Sequence, residues 1–333
     1  MLTQRDGLIS QIEGLIGAHD EVLIFGHKDA DGDTLGCSLA FAEALKNLGK
    51  KAWVVIPPPL PTMYEWLPGY ESVVGRPPPG ADPHLVFFFD AGNMERSGDA
   101  VEHIAHHATI VNVDHHLSNT RFGHVNLIEP DASAVGQIVI RMLECYGFPI
   151  TPGMATNLYT ALMTDTGGFR HENTTADCLS DAAKLARLGA NPAHIATMVY
   201  KSRPLTTLRL NALSLASMEI GLEGALIWAR VTRRMLMEAG AAMPESEGII
   251  DTLNSIADME MAILFKEVGP KLTKISVRSR GAVDASALTA TFGGGGHLRA
   301  AGAELRMPME EAVRTVVAAS TEAIHDARGP QPR

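Results

Sequence analysis

The sequence predicts an α/β protein, with a parallel sheet covered by helices on both faces and, after it, a smaller α+β domain. One observation behind this prediction is a series of short apolar segments that alternate with helical patterns, because strands buried on both faces are continuously apolar. Another is a change of pattern near residues 203–222, after which the strand candidates contain polar residues.

Four apolar segments are the predicted strands of the parallel sheet: residues 21–26, 52–56, 84–89 and 109–113. A helical pattern over residues 34–49 stops at Gly49, and three prolines at 57–59 end the second strand. The other predicted helices of this half cover residues 133–147, 154–164, 175–189 and 192–201.

The second half begins with a predicted linking helix over residues 205–220. Its predicted strands cover residues 225–231, 260–268, 272–280 and a segment near 302–307. A glycine cluster at 293–296 precedes the last strand, and a predicted helix over residues 309–325 follows it. This order of strands and helices predicts a separate α+β domain.

The 333 residues carry a formal net charge of −10, with 46% hydrophobic and 20% charged residues, which excludes a disordered chain. No apolar run approaches the ~20 residues of a membrane span, and the N-terminus lacks the apolar core of a signal peptide. The three cysteines lie far apart, so we expect a reducing, cytoplasmic location and no disulfide framework. The acidic balance disfavours a long nucleic-acid track but allows a local basic pocket.

Residues 27–33, with the sequence HKDADGD, directly follow the first predicted strand. Ligands bind at the carboxyl ends of strands in open α/β sheets, and three carboxylates crowded beside an imidazole repel each other without cations. Oxygen and imidazole donors together suit divalent ions such as Mn²⁺ or Zn²⁺. The alternative is a helix cap formed by Asp33 or Thr34, which would account for one carboxylate of the set.

Further acidic and imidazole positions also follow apolar segments. Asp90 ends the run HLVFFFD, and Asp114 is followed directly by His115 and His116 after the run TIVNV. Asp165 ends a helical run ahead of two glycines. Together with the preceding cluster, these side chains supply the mixed oxygen and nitrogen ligands, and the shared carboxylate, that two metal ions need to hydrolyse a phosphoester.

Residues 259–306 are basic, with seven Lys and Arg against four Asp and Glu. Arg278 and Arg280 alternate along a predicted strand, so we expect both on one face, where guanidinium groups can bind phosphate. The loop at 294–297, GGGH, offers backbone N–H groups and an imidazole to phosphate oxygens. A solvated strand face and a flexible turn are the alternative interpretation.

His103 and His107 lie four residues apart on a predicted helix, with His106 between them. A pair at this spacing can bind a metal ion, but no carboxylate in the pattern is matched to it. We interpret the three histidines as a solvated helix face.

Four motifs, HKDADGDTLG, FFFDAGNMER, VDHHLSN and MTDTGGFR, occur in this order and resemble those of the DHH phosphoesterase superfamily. The segment FGGGGHLRAAG, preceded by ISVRSRG, resembles the associated DHHA1 domain. The resemblance covers nearly the whole chain. It implies a DHH catalytic domain over residues 1–203, a linker helix over 204–222 and a DHHA1 substrate-binding domain over 223–330.

The resemblance also implies a role for individual residues. One metal ion would be held by His27, Asp31 and Asp90, and the other by Asp33, Asp90, His115 and Asp165. His116 would face the scissile phosphate as a catalytic donor or electrostatic stabiliser, and Asp114 would orient a histidine from behind. Substrate would be bound by Arg278, Arg280, Gly294, Gly295, Gly296 and His297. Arg96 follows Asp90 on a loop, where a phosphate contact and a surface role are both open. Family members typically use Mn²⁺, and we expect two ions per site, with Mg²⁺ or Co²⁺ as substitutes.

Within the superfamily, the DHHA1-like half disfavours the pyrophosphatase branch, and the length leaves no room for the extra domains of the long-strand exonucleases. We therefore expect a 3′→5′ hydrolase of short oligoribonucleotides that also acts on 3′-phosphoadenosine 5′-phosphate through a metal-activated hydroxide. The alternatives are a cyclic di-AMP or pApA phosphodiesterase, a polyphosphate hydrolase and a nucleotide-binding protein without activity. The expected partners are short oligonucleotides and small nucleotides, with no membrane. Relatives often form homodimers, but the sequence leaves the oligomeric state open.

Overall fold

The computed structural model describes residues 4–202 and 204–329. The chain divides into two compact units, of which the first ends at Ser202. The boundaries predicted at residues 203 and 330 fall on positions outside the described residues. Within the described part of the chain, no helix combines the length and the apolar content that a membrane span requires.

The first unit contains a five-stranded sheet in the order β2-β1-β3-β4-β5, and all of its strand pairs are parallel. Its elements are α1 (Gln4–Ala18), β1 (Glu21–Phe25), α2 (Gly32–Asn47), β2 (Lys51–Val55), β3 (Leu85–Phe89), β4 (Thr109–Asp114), β5 (Val125–Ile128), α3 (Val135–Cys145), α4 (Pro152–Asp165), α5 (Ala176–Arg187) and α6 (Pro192–Tyr200). The predicted α/β class with a parallel sheet is therefore confirmed.

Aromatic side chains fill the core on both faces of this sheet. On one face, Phe87 and Phe89 of β3 contact Phe41 of α2, with ring centroids 4.8 and 5.2 Å apart. All six α-helices contribute buried residues to this face. On the other face, Phe25 stacks on Phe88 at 5.1 Å, and the cover is a 3₁₀ segment, Met94–His103, in place of α-helices.

The second unit contains a six-stranded mixed sheet in the order β10-β11-β9-β8-β7-β6, in which only the β7–β8 pair is parallel. This unit confirms the predicted second α+β domain. Its elements are α7 (Leu205–Ala216), β6 (Glu219–Gly221), β7 (Leu226–Val231), α8 (Arg233–Ala239), α9 (Ile249–Asn254), β8 (Met261–Gly269), β9 (Leu272–Ser279), α10 (Ala285–Ala290), β10 (Gly295–His297), β11 (Ala300–Leu305) and α11 (Met309–Arg328).

The predicted linker segment, residues 204–222, is not one continuous helix, as its sequence pattern indicates, but a helix followed by a short strand. Helix α7 ends at Ala216, and β6 then pairs with β7 at the edge of the second sheet. Leu210 of α7 is completely buried in a core that also contains Ile227 and Ile249. The segment is therefore packed into the second unit.

Candidate metal centre

The acidic and imidazole residues converge because three neighbouring parallel strands end at one edge of the first sheet. His27 follows β1, Asp90 directly follows β3, and Asp114 is the last residue of β4. These strands lie side by side in the order β1-β3-β4. The chain reverses its direction of strand addition between β1 and β3, which is the position where open α/β sheets bind ligands.

Asp31 has two separate tasks in the turn between β1 and α2. Its Oδ1 accepts hydrogen bonds from the backbone N–H groups of Asp33 and Thr34, at 3.0 and 2.9 Å, and so caps α2. Its Oδ2 lies 3.9 Å from Nε2 of His27. The residue that caps α2 is therefore Asp31, and the predicted caps Asp33 and Thr34 are wrong. Capping uses only one carboxylate oxygen of Asp31, so the other oxygen still faces His27.

Asp33 is held by the start of another helix. Its carboxylate accepts hydrogen bonds from the N–H groups of Val135, at 2.6 Å, and Gly136, at 2.9 Å, in the first turn of α3. A side chain at Gly136 would place its Cβ only 2.8 Å from that of Ala161 in α4, so glycine lets the two helices approach closely. This packing brings Asp33 beside Asp165, which ends α4.

Two buried histidines are oriented by backbone carbonyls. Nδ1 of His27 lies 2.6 Å from the carbonyl oxygen of Lys28, and Nδ1 of His115 lies 3.0 Å from that of Ala132. A carbonyl oxygen only accepts hydrogen bonds, so both Nδ1 atoms donate to backbone and both Nε2 atoms face the carboxylates, where each would offer a lone pair to a bound metal ion. This tautomer is the one that a metal-binding imidazole requires.

Asp90 lies between the two histidines, and its two oxygens face different neighbours. Its Oδ2 is 3.4 Å from Nε2 of His27 and accepts a 2.7 Å hydrogen bond from Oγ1 of Thr34. Its Oδ1 is 3.8 Å from Nε2 of His115. The backbone of Asp90 is left-handed, with φ of 57°, a conformation that costs free energy for a residue with a side chain and is found at functional sites.

Two of the side-chain groups that could hold a metal ion contain the three residues predicted for one ion and three of the four predicted for the other. In each set, one ligand atom from every residue lies within 4.8 Å of the others; the sets are His27, Asp31 and Asp90, and Asp33, His115 and Asp165. Asp90 faces a histidine of each set, as a bridging carboxylate would. The mixture of carboxylate and imidazole donors fits divalent ions of the Mn²⁺ type.

The charges of the cluster favour cations. Burial raises the pKa of Asp33 well above its usual range, and the charges of Asp90 and Asp165 raise it further. Burial also raises the pKa of Asp165 to about 7, with His115 opposing the rise and Asp90 adding to it. Burial acts in the same direction on Asp90, but a hydrogen bond with His27 and the nearby imidazoles outweigh it and hold that pKa below its usual range. The cluster thus retains protons that bound cations would replace.

His116 is positioned by Asp114, which is completely buried. Nδ1 of His116 donates to Oδ1 of Asp114 at 2.7 Å, and Oδ2 of Asp114 accepts from Nδ2 of Asn119 at 2.6 Å. Burial lowers the pKa of His116, but the hydrogen bond with Asp114 and the charge of Asp90 raise it to about 9. His116 is therefore a protonated donor beside the residues that could hold a metal ion.

Arg96 belongs to the margin of this cluster. Its charge lowers the pKa of both His27 and His116, against the larger effects that raise them, so the guanidinium is within electrostatic reach of both imidazoles. Its carbonyl oxygen accepts a 2.7 Å hydrogen bond from the N–H of Lys28, which joins the 3₁₀ segment to the turn after β1.

Two residues that hydrogen-bond to the cluster, Thr34 and Asn173, are not indicated as site residues by the sequence motifs. Thr34 donates to Asp90, although its position in the sequence indicates only a helix start. Asn173 donates through Nδ2 to the carbonyl oxygens of Asp165, at 3.2 Å, and Ser133, at 2.9 Å, and so fixes the end of α4. The contacts of Thr34 with Asp90 and of Asn173 with Ser133 join residues that are distant in the chain, so they depend on the folded structure.

The two arginines of the second unit have different surroundings. Strand β9 ends at Ser279, so Arg280 lies beyond the strand, which corrects the prediction that both arginines alternate along it. The guanidinium of Arg280 donates to the carbonyl oxygens of Asn254 and Ile256 at the end of α9. Arg278 is on β9, and its Nε lies 3.3 Å from Oδ1 of Asp251.

The glycine loop forms a hairpin of β10 and β11. A Cβ at Gly294 would lie 2.2 Å from the carbonyl oxygen of Gly302, and one at Gly296 would lie 2.5 Å from that of Ala300. These two glycines are required by the hairpin itself. A Cβ at Gly295 would meet nothing within 4 Å, so the backbone there is open to a ligand. His297 ends β10 and is exposed.

The parallel sheet, the ligand cluster at its carboxyl edge and the mixed-sheet second unit together define a hydrolase of the metal-dependent phosphoesterase class. The chain belongs to the DHH family: its residues 21–164 match the DHH family N-terminal domain, and residues 225–326 match the DHHA1 domain.

Individual relatives cover nearly the whole chain. It is 33% identical to the bifunctional oligoribonuclease and PAP phosphatase NrnA of Thermus thermophilus, over 93% of this chain and 92% of that protein. It is 26% identical to the cyclic-di-AMP phosphodiesterase PdeA of Listeria monocytogenes, over 95% of this chain and 50% of that protein. Among solved structures, an exopolyphosphatase-related protein from Bacteroides fragilis superposes with a TM-score of 0.88 at 26% identity, covering 96% of this chain and 98% of that one.

Proposed function

We propose that this protein hydrolyses short oligoribonucleotides from the 3′ end and removes the 3′-phosphate of 3′-phosphoadenosine 5′-phosphate. The observation that carries the proposal is the pair of ligand sets that Asp90 connects, because a phosphoester can be held between two cations at such a site. The similarity to the Thermus thermophilus enzyme over both units supports this choice of substrates.

We assign the two sets to a pair of Mn²⁺ ions. When bound, the ions would supply Lewis-acid stabilisation of the phosphate and lower the pKa of water enough to provide a nucleophile at neutral pH. The protein contributes the placement of the ligands: carbonyl oxygens fix the rings of His27 and His115, and the N–H groups of α3 fix Asp33. Four carboxylates and two imidazoles would balance much of the charge of two divalent cations.

His116 is the proposed catalytic donor. Its Nδ1 proton is engaged by Asp114, and the raised pKa keeps a proton on Nε2 at neutral pH. This proton can form a charge-assisted hydrogen bond with a phosphate oxygen, which becomes stronger as negative charge develops during the reaction. Asp114 acts through His116 as a positioning residue, and Asn119 holds Asp114 in turn.

The second unit is the proposed substrate-binding domain, and residues 1–203 are the proposed catalytic domain. Arg278, the backbone at Gly295 and the exposed His297 are the groups that we assign to phosphate or base contacts, with Arg96 as a contribution from the first unit. Arg280 is already engaged with carbonyl oxygens, so any role of Arg280 in binding is secondary to its structural contacts. A short basic segment on a chain of net charge −10 suits a short anion.

Hydrolysis of cyclic di-AMP or its linear product pApA is the second candidate. The similarity to the Listeria monocytogenes phosphodiesterase favours it, although this chain spans only half of that protein. The same ligand sets would serve either reaction, so the choice between them depends on the substrate pocket.

A hydrolysis panel with Mn²⁺ tests these proposals: 3′-phosphoadenosine 5′-phosphate, pApA, a five-nucleotide RNA, a 24-nucleotide RNA, cyclic di-AMP and polyphosphate. Fast turnover of 3′-phosphoadenosine 5′-phosphate and of the five-nucleotide RNA, with slow turnover of the 24-nucleotide RNA, is the expected result. Faster turnover of cyclic di-AMP or polyphosphate would keep the metal centre and reject the proposed substrates. No turnover of any compound by protein that binds Mn²⁺ would reject catalysis.

A further inference from the structure

A second group of metal-ligating side chains lies at the opposite edge of the first sheet. His84 directly precedes β3, and His107 lies two residues before β4, whereas Asp90 and Asp114 stand at the other ends of the same strands. Six residues of extended chain separate His84 from Asp90, a distance of about 20 Å. We call Asp82, His84 and His107 the amino-edge cluster.

Each oxygen of Asp82 faces one of the two imidazoles. Oδ1 of Asp82 lies 3.5 Å from Nε2 of His107, and Oδ2 lies 3.8 Å from Nε2 of His84. The two rings are also close, with centroids 4.0 Å apart. One ligand atom from each residue lies within 4.8 Å of the others. The ligand atoms of a tetrahedral zinc ion lie about 3.3 Å apart, so only small side-chain rotations separate this arrangement from a coordinated one.

Backbone contacts fix the segments that carry the cluster. The carbonyl oxygen of His84 accepts a 2.7 Å hydrogen bond from the N–H of Thr109, which joins the starts of β3 and β4. A turn closed by Ala108 N–H on the carbonyl oxygen of Ala105, at 3.0 Å, holds His107. Pro83 restricts the backbone of Asp82 to extended conformations. The fold therefore places the backbone segments that carry the three side chains close to one another.

The helix-face interpretation of His103 and His107 does not hold. The 3₁₀ segment ends at His103, and the chain then turns, so the two histidines do not share a helix. His107 instead meets His84 and Asp82, which lie more than twenty residues earlier in the chain. The carboxylate that the sequence pattern lacks is supplied by the loop before β3.

We propose that Asp82, His84 and His107 bind one zinc ion, or a similar late first-row divalent ion, with water at the remaining position. Two imidazoles and one carboxylate form a ligand set of the kind that favours Zn²⁺ over Mn²⁺, in contrast to the carboxylate-rich cluster at the carboxyl edge. The three side chains are half to two-thirds exposed, and Asp82 and His84 border a surface cleft of about 210 Å³, so an ion and its water can enter from solvent. The bound ion joins the loop before β3 to the loop before β4.

The number of zinc ions per chain tests this site. The full chain and three variants, His84→Ala, His107→Ala and the matched control His106→Ala, are dialysed against Zn²⁺ and analysed by atomic emission. His106 is exposed, adjacent to His107 and outside the cluster. We expect the wild type and His106→Ala to bind one more zinc ion per chain than either His84→Ala or His107→Ala. This difference does not depend on how many ions the carboxyl edge holds, so failure of the proposed function would leave it unchanged.

Nuclear magnetic resonance of histidine ring nitrogens supplies a second measurement. We expect Zn²⁺ to shift the Nε2 resonances of His84 and His107 and to leave that of His106 unchanged. An equal zinc count in the wild type and in either cluster variant would overturn the proposal, and so would the absence of a shift at His84 and His107.

Discussion

The two units of this protein fix their functional residues by different means. In the first, the proposed ligands are largely buried, and His27, Asp33, His115 and His116 are each held by a further hydrogen bond. In the second, the proposed substrate-binding residues are exposed or half-buried, and several of them also hold the unit itself together. The comparison suggests that a substitution in the first unit will mainly affect catalysis, whereas one in the second can affect substrate affinity or stability.

His115→Ala should have the largest effect. The variant loses a proposed metal ligand together with the hydrogen bond to Ala132 and the ring contact with His116, and we expect turnover to fall about 10³-fold with little change in fold. Rate measurements with Mn²⁺ and circular dichroism check this, with His106→Ala as the control. Asp33→Ala is a less clean test, because it also removes the partner of two backbone N–H groups. Wild-type turnover by His115→Ala would reject the ligand assignment.

Asp114→Asn should have the next largest effect, a fall of about 10–100-fold in kcat with a small change in KM. The asparagine removes the charge that raises the pKa of His116, so the variant loses the His116 proton at lower pH than the wild type does. The pH profile of kcat should therefore decline from a lower pH on its alkaline side. A change confined to KM would contradict the positioning role.

A matched pair of arginine variants separates binding from stability in the second unit. Arg278→Ala should raise KM about tenfold, because a charge-assisted hydrogen bond to phosphate is lost. Arg280→Ala should leave KM unchanged and lower the thermal midpoint slightly, since its guanidinium donates to the end of α9. Steady-state kinetics and calorimetry on both variants distinguish the two roles. A raised KM in Arg280→Ala and a lowered thermal midpoint in Arg278→Ala would contradict this assignment.

A second matched pair tests the glycine hairpin. Gly296→Ala should destabilise the second unit, because the new Cβ would lie 2.5 Å from the carbonyl oxygen of Ala300 and the residue has φ of 149°. Gly295→Ala has room for a Cβ, so we expect an unchanged thermal midpoint and a KM that rises a few-fold. Equal stability of the two variants would contradict the assignment of Gly296 to the hairpin.

The smallest expected effect is a pH dependence of stability in the metal-free protein. Asp165 has a folded pKa of about 7 against an ordinary value of 3.8, so its contribution is fully present below about pH 4 and is lost as the pH rises through 7. His116, with a folded pKa of about 9, adds a loss between about pH 6.5 and 9. We expect the thermal midpoint to fall by a few degrees from about pH 5 to pH 8, and Asp165→Asn to reduce the fall. A thermal midpoint that rises from pH 5 to pH 8 in the metal-free protein would contradict the raised pKa of Asp165.

The parts of the fold that follow local pattern could be predicted. Strands β1 to β4 are evident because each is a continuous apolar segment, and their carboxyl ends locate the proposed ligands. Strand β5 is only four residues long and half-exposed, and α8, α9 and α10 have six or seven residues, so none of them produces a distinct period. Helix α1 shows the spacing of Ile9, Ile12 and Ile16, a signal that could have been used.

The residues of the site also separate into those that the sequence predicts and those that only the folded structure reveals. Motif residues such as Asp90 and His115 could be proposed from the sequence, because chemistry and strand ends both indicate them. The contacts that orient them could not, since Thr34 reaches Asp90, and Ala132 reaches His115, only through tertiary packing. The amino-edge cluster escapes for the same reason: Asp82 and His107 approach each other through the pairing of β3 with β4.

The positions of the ligands along the chain also set an order of events during synthesis. The amino-edge cluster is complete once His107 has been added, whereas the proposed catalytic ligands are complete only at Asp165. At about 5–20 residues per second, the ribosome takes roughly 3–12 s to add the intervening segment. On the proposed assignments, a nascent chain contains the residues of the zinc site before it contains all of those assigned to Mn²⁺, and we expect no hydrolysis until translation has passed the end of α4.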